Sequence, residues 1–219
     1  MNQKPFEQRL NTAIQQMLHD ASVSVQTLPQ CPQIKLWLVE PGAMQRPFTQ
    51  DEIVNIQNYP AYWAFCWASG QVLAREILAN PHWVKDKKVM DFGAGSGVVA
   101  IACRIAGARE VIACDIDADA LLSCEANAEL NKVNYRIHGD LFAFNEDLDL
   151  LIAADVLYDK ANLPLLDVFR NKANEVLVAD SRVKNFDFPP YQAIGRHESF
   201  TVPDLDELVE FRWVNLYRS

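Results

Sequence analysis

At 219 residues the chain is long enough for one full α/β domain and too short for two of ordinary size. Half of its residues are hydrophobic and 22% are charged, which excludes a disordered chain. Its net charge of -9 argues against a nucleic-acid binder, because phosphate contacts need a basic face; a basic protein partner remains compatible.

The N-terminal residues are polar and lack the apolar core of a signal peptide, and no run reaches the roughly 18 apolar residues of a membrane span. The cytoplasm is therefore the expected compartment. Five cysteines without a C-x-x-C pair read as small buried hydrophobes in a reducing environment. Phe6, Leu10, Ala13, Ile14, Met17 and Leu18 predict an amphipathic helix over residues 5–19. A short strand is expected at Gln33–Val39, ended by Pro41-Gly42. Residues 42–60 have little periodicity and read as a loop with a short helical turn, a candidate lid. The division expected is an N-terminal extension over 1–60 and one globular domain over 61–219.

From Trp67 onward, strand and helix patterns alternate. A helix carrying Val72, Leu73, Ile77 and Leu78 stops at Asn80-Pro81. A first sheet strand at Lys88–Phe92 precedes a helix through Val98 and Ile105, and a second strand follows at Glu110–Asp115. After another helix come a third strand at Asn134–His138 and a fourth, almost wholly apolar, at Leu148–Val156. A helix near 161–172 leads to a fifth strand at Glu175–Ala179. Two tail strands are expected at Gln192–Phe200 and Leu208–Leu216. Such alternation predicts an open, mostly parallel sheet, with ligands at the carboxyl ends of its strands.

The loop Asp91-Phe92-Gly93-Ala94-Gly95-Ser96-Gly97 follows a strand and opens a helix, so its backbone can approach a ligand closely. Its G-x-G-x-G spacing differs from the G-x-G-x-x-G of dinucleotide folds. An acid ahead of the first glycine suits an ammonium and a sulfonium, the groups of S-adenosylmethionine, better than a pyrophosphate. Asp115, 22 positions beyond Gly93, ends the second strand where a carboxylate can accept both ribose hydroxyls. Asp117 is the expected helix cap. Asp140, after the third strand, either accepts from the adenine amine or is an exposed loop residue. The fourth strand delivers Ala154 and Asp155 to the sheet edge, where Asp155 either orients an incoming amine or caps a turn. Tyr158 adds a hydroxyl or a π-face toward a cationic nitrogen. In the run Tyr59-Pro60-Ala61-Tyr62-Trp63-Ala64-Phe65-Cys66-Trp67, Trp67 is expected to wall the cofactor pocket. Tyr62 and Trp63 read as packing or substrate-side residues.

Three segments, residues 60–71, the loop from Asp91 to Gly97, and Asp155-Val156-Leu157-Tyr158, resemble the class I, seven-stranded S-adenosylmethionine-dependent methyltransferases. Within that family they are most similar to the group of the electron transfer flavoprotein β-subunit lysine methyltransferase and nicotinamide N-methylase-like proteins. The last segment fits the D-x-x-Y signature of this group. The resemblance implies a three-layer, Rossmann-like sheet of order 3-2-1-4-5-7-6 with strand seven antiparallel. It implies S-adenosylmethionine as cofactor, held by Trp67, Asp91, Gly93, Ala94, Gly95, Gly97, Asp115, Ile116, Asp140 and Ala154, and released as S-adenosylhomocysteine. It implies that Asp155 and Tyr158 face an acceptor nitrogen on a protein lysine. A small nicotinamide-like acceptor, or a non-catalytic binding module, is the alternative; no metal, membrane or nucleic acid is expected. The sequence departs from the pattern twice: Ser69 stands where glycine is expected, and Asp180-Ser181-Arg182-Val183 replaces Asp-Pro-Gly-Arg.

Overall fold

The computed structural model describes residues 5–183 and 185–219. An N-terminal segment supplies α1 (Phe6–Ile14), a hairpin of β1 (Val23–Leu28) and β2 (Cys31–Val39), the short α2 (Pro41–Met44) and α3 (Gln50–Asn58). Then follow α4 (Ala68–Ala79), β3 (Lys88–Phe92), α5 (Val98–Ile105), β4 (Glu110–Cys114), α6 (Ala118–Leu130), β5 (Arg136–His138), β6 (Leu148–Ala154), α7 (Leu165–Lys172), β7 (Ala173–Asp180), β8 (Gln192–Glu198) and β9 (Trp213–Arg218).

Seven strands form one sheet in the order β5-β4-β3-β6-β7-β9-β8. In sheet numbering this is 3-2-1-4-5-7-6, with β9 antiparallel to both neighbours, as expected. Alternation within the central strands explains the three layers, because successive side chains leave a strand on opposite faces. Leu150 and Ile152 of β6 join one core with Val72, Leu73 and Ile77 of α4 and Val99–Cys103 of α5. Leu151 and Ala153 join a second core with Leu166 and Phe169 of α7.

The structure corrects four expected elements. Helix α1 stops at Ile14 rather than residue 19, although Met17 and Leu18 remain buried. Their N–H groups both bond back to the Ile14 carbonyl, so the apolar spacing outlasts the helix. The predicted lone strand at 33–39 is the second arm of a hairpin whose first arm, β1, was not expected. Residues 42–60 hold a true helix, α3, started by a reciprocal capping box between Thr49 and Glu52. Strand β9 begins at Trp213 rather than residue 208, since 209–212 forms a 3-10 turn with Leu208 and Val209 exposed.

The hairpin is docked by side chains instead of by strand pairing. On the edge of β2 away from β1, the N–H of Trp37 donates to Asn127 Oδ1 (2.7 Å) and that of Lys35 to Asn131 Oδ1 (3.0 Å). Asn131 Nδ2 returns a bond to the Lys35 carbonyl (2.6 Å). Asn127 lies on α6 and Asn131 caps its C-terminus, so this helix end offers β2 the donors and acceptors of a neighbouring strand. Leu28, Ile34, Leu36 and Leu38 of the hairpin pack in the same core as α4 and α5. Separately, α1 packs with Trp63, Ala64 and Phe65 and with Ala120 and Ala126 of α6. All five cysteines are buried and unpaired. Among the described residues no helix is long and apolar enough to cross a membrane, and no acid, histidine and cysteine cluster could hold a metal ion.

Candidate active site

At the carboxyl ends of β3, β4, β5 and β6 the chain leaves a cavity of about 1160 Å³. That exceeds the usual span of a single small-molecule pocket, roughly 300–1,000 Å³. Its walls come from both halves of the chain. Gly93, Gly95, Asp115, Ile116, Asp140 and Phe142 line one end; Tyr62, Trp67, Ala154, Asp155, Tyr158 and Arg182 also line it.

The glycine loop turns tightly, with left-handed φ values at Gly93 (66°), Gly95 (51°) and Gly97 (74°). A Cβ at Gly93 would sit 2.8 Å from Val156 Cγ1, so glycine is required there by space as well as by angle. Asp115 braces this loop. Its Oδ2 accepts from Gly95 N–H (2.9 Å) and its Oδ1 from Asp117 N–H (3.0 Å). Burial nevertheless pushes its carboxyl above the ordinary range, against those two bonds. Asp117 caps α6 through the N–H of Asp119 (2.9 Å). Ile116 is 92% exposed, an apolar side chain held at the rim.

Three of the expected cofactor residues are not part of the cavity wall. Asp91 is buried, and its carboxylate accepts from Ala100 N–H in α5 (2.9 Å) instead of facing the open space. Burial in this apolar surrounding pushes it up to about 7. Ala94 and Gly97 are likewise buried beneath the loop. All three shape the loop from behind: a strand residue at the turn into a helix points alternately to core and cavity, and Asp91 falls on the core side. Asp140 is exposed on the wall and also accepts from Phe142 N–H (2.8 Å), ending β5 in a local turn.

Beyond the loop lies an aromatic and acidic compartment. Rings of Tyr158 and Tyr62 lie 5.7 Å apart, and Tyr62 is 5.8 Å from Trp67. The indole N–H of Trp67 donates to the Tyr62 carbonyl (3.0 Å), which fixes its ring. Trp63 is buried and Tyr62 exposed, both on the wall. Burial raises the Tyr158 hydroxyl's pKa, so at neutral pH it is a neutral donor with a π-face and not a phenolate base.

The acidic and basic side chains lining the cavity among the described residues are Asp115, Asp117, Asp119, Asp140, Asp155 and Arg182. Arg182 is ion-paired with Glu207, and its guanidinium lies 4.2 Å from the centre of the Phe211 ring. The cavity is thus negative and π-rich, an environment that concentrates cations and disfavours phosphates.

Asp155 is half-buried. It follows β6 in the left-handed conformation (φ 51°), unusual outside glycine, and its N–H donates to the Ala179 carbonyl (3.0 Å). Its carboxylate accepts from Ser69 at the start of α4 and from Ser181 at the end of β7. Sequence reasoning did not assign either serine to the site, nor Phe142, Arg182 or Asn162, which also line the cavity or hold its floor. The parallel register of β6 and β7 pairs Ala154 with Ala179, which brings Asp155 level with Asp180 and within one residue of Ser181.

Comparisons with known proteins agree with this architecture. The chain matches the Ribosomal protein L11 methyltransferase (PrmA) family over residues 76–165. It is 39% identical over 102 residues to the electron transfer flavoprotein beta subunit lysine methyltransferase of Homo sapiens, covering 45% of this chain and 39% of that protein. The homolog of that enzyme in Caenorhabditis elegans is 32% identical over 164 residues, covering 70% and 62%. The chain therefore spans less than two thirds of the length of these relatives. Among solved structures, a ribosomal protein L11 methylase from Lactobacillus delbrueckii superposes with a TM-score of 0.51 at 23% identity, covering 69% of this chain and 77% of that one.

Proposed function

We propose that this chain, a class I methyltransferase in fold and in sequence kinship, transfers the methyl group of S-adenosylmethionine to the ε-nitrogen of a lysine on a protein. One observation carries the proposal. The glycine loop with its Asp115 brace shares a single cavity with the Asp155 carboxylate and the Tyr158 ring. The first set suits a nucleoside, and the second suits a cationic nitrogen. The names of the relatives favour lysine over other nitrogens.

The chemistry asks for alignment more than for acid–base power. The acceptor's lone pair forms a bond to the methyl carbon as the carbon–sulfur bond breaks. Its electrons remain on sulfur, leaving a neutral thioether, S-adenosylhomocysteine. A lysine arrives as an ammonium and must first lose one proton, to water or to a carboxylate. Asp155 orients the amine and favours its cationic product, the aromatic walls exclude water, and holding both reactants in line supplies much of the rate. We extend the proposal to α3: Asn58, Tyr59 and Pro60 at its end line the mouth and form the lid over the acceptor.

Purified protein incubated with methyl-labelled S-adenosylmethionine tests this, with electron transfer flavoprotein and free nicotinamide as rival acceptors. Label recovered as methyllysine supports the proposal. Label on nicotinamide alone would transfer the assignment to small-molecule methylation. Cofactor binding by calorimetry, with no transfer to any lysine-bearing protein in a lysate, would leave a binding module.

A further inference from the structure

Two of the positions at which the sequence departs from the pattern it resembles, 69 and 181, meet on one carboxylate. Asp155 Oδ1 accepts the Ser69 hydroxyl (2.6 Å), the Ser181 hydroxyl (2.9 Å) and the Ser181 N–H (3.3 Å). Oδ2 accepts only the Ser69 N–H (3.0 Å) among the described residues. A carboxylate offers about four lone-pair sites, two on each oxygen. Oδ1 is therefore filled, and Oδ2 retains room for one further donor.

Three segments far apart in sequence supply this arrangement. Ser69 is the second residue of α4, whose N-cap residue Trp67 offers no side-chain bond to the helix end, so Asp155 takes one of its free N–H groups. The helix dipole there favours an ionised carboxylate. Ser69 is wholly buried and Ser181 half-buried.

We propose that Ser69 and Ser181 are paired positioning residues that saturate Oδ1 of Asp155 and leave Oδ2 as the oxygen that receives the N–H of the acceptor. The proposal rests on Asp155 being the acceptor-facing carboxylate of the preceding section. The serines act through Asp155 alone: they lock its rotamer and favour its ionised form against burial. Burial pushes the Asp155 carboxyl up, while the bonds from Ser69 and Ser181 and the charge of Arg182 pull it down. Asp180 and the buried Cys66 thiol are the other ionisable groups that feel it. Deleting either hydroxyl removes a donor to the ionised form and leaves burial unopposed.

The test reads the carboxylate itself, in the full chain without any acceptor. The side-chain carboxyl resonance of Asp155, assigned with Asp155→Asn, is followed by carbon NMR against pH in the parent, Ser69→Ala, Ser181→Ala and the double variant. The midpoint is expected to move to higher pH in each single variant and further in the double one. In parallel, kcat at neutral pH falls about 10–100-fold, as for loss of a hydrogen bond to a charged group, while the affinity for S-adenosylmethionine holds. The acid limb of the rate profile follows the NMR midpoint, and Ser181→Thr, which keeps a hydroxyl, restores both. Should Ser69→Ala fail to fold, Ser181→Ala at its half-buried position carries the test. An unmoved midpoint in an active protein overturns the serine pair and leaves the methyltransferase assignment standing. A parent that titrates as expected but methylates no acceptor overturns the assignment of the site, and the serines' role toward an acceptor with it.

Discussion

Replacing Asp91 with asparagine isolates the energetic consequence of one buried acid. Burial raises its carboxyl from 3.8 to about 7. A folded-state pKa above the unfolded one means that the native protein binds the proton more tightly, so stability falls as pH rises between those values. Each pH unit is worth 1.36 kcal/mol, and the three-unit interval amounts to about 4 kcal/mol that the ionised form withholds from the fold above pH 7. In Asp91→Asn the amide oxygen still accepts from Ala100 N–H, but its two new N–H donors are buried, at about 1–3 kcal/mol. The variant is therefore expected to be less stable than the parent near pH 4 and equal or more stable at pH 8. The difference between them should change by about 4 kcal/mol across the window. Urea unfolding followed by tryptophan fluorescence at pH 4, 5, 6, 7 and 8 reads it directly. Parallel stability curves for the two proteins would refute the reasoning, since they would mean that Asp91 titrates alike folded and unfolded.

Gly97→Ala places a Cβ at φ 74°, 2.7 Å from the Tyr135 hydroxyl and 3.2 Å from Cys124 Sγ. Strain of about 2 kcal/mol should lower Tm by about 4–8 °C in a thermal scan, and an unchanged Tm would show that the loop relaxes. Asp115→Asn turns an amide donor toward either Gly95 N–H or Asp117 N–H, so calorimetry should show S-adenosylmethionine binding about 10–100-fold weaker. Parent-like affinity would remove Asp115 from the nucleoside site. Asp155→Ala should abolish methyl transfer while cofactor affinity stays within about threefold, because no loop glycine bonds to Asp155; 1.4 kcal/mol would already be tenfold. A collapse of both would mean that Asp155 holds the cofactor.

The alternation of strands and helices was legible because each central strand is an apolar run buried on two faces, as in Leu148–Ala154, and is followed by a helix stripe, whereas the strand order followed from the family resemblance. Strand β1 was not legible. Val23 and Leu28 are its only buried residues, Val25 is exposed, and the hairpin turn at Pro29-Gln30 lacks glycine. Helix α3 was missed although Thr49-Gln50-Asp51-Glu52 spells a capping box, because Ile53 and Val54 are exposed and Glu52 is its buried residue. Of the residues named from the sequence, Trp67, Gly93, Gly95, Asp115, Ile116, Asp140, Ala154, Asp155 and Tyr158 line the cavity. Asp91, Ala94 and Gly97 fell behind the wall because sequence shows that a residue is in a loop, not which side of it faces the ligand. Ser69 and Ser181 lie 86 and 26 positions from the aspartate they bind, a convergence that only the sheet order creates.

Asn127, which anchors Trp37 of the hairpin, also donates to the Ser96 carbonyl of the glycine loop (2.9 Å). One buried amide thus joins the outermost strand pair to the loop proposed to hold the nucleoside. A ligand that stiffens the loop must stiffen that joint, and by reciprocity a hairpin that peels away must loosen the ligand. The fastest-exchanging amides of the first forty residues would then report occupancy of a pocket most of them never touch.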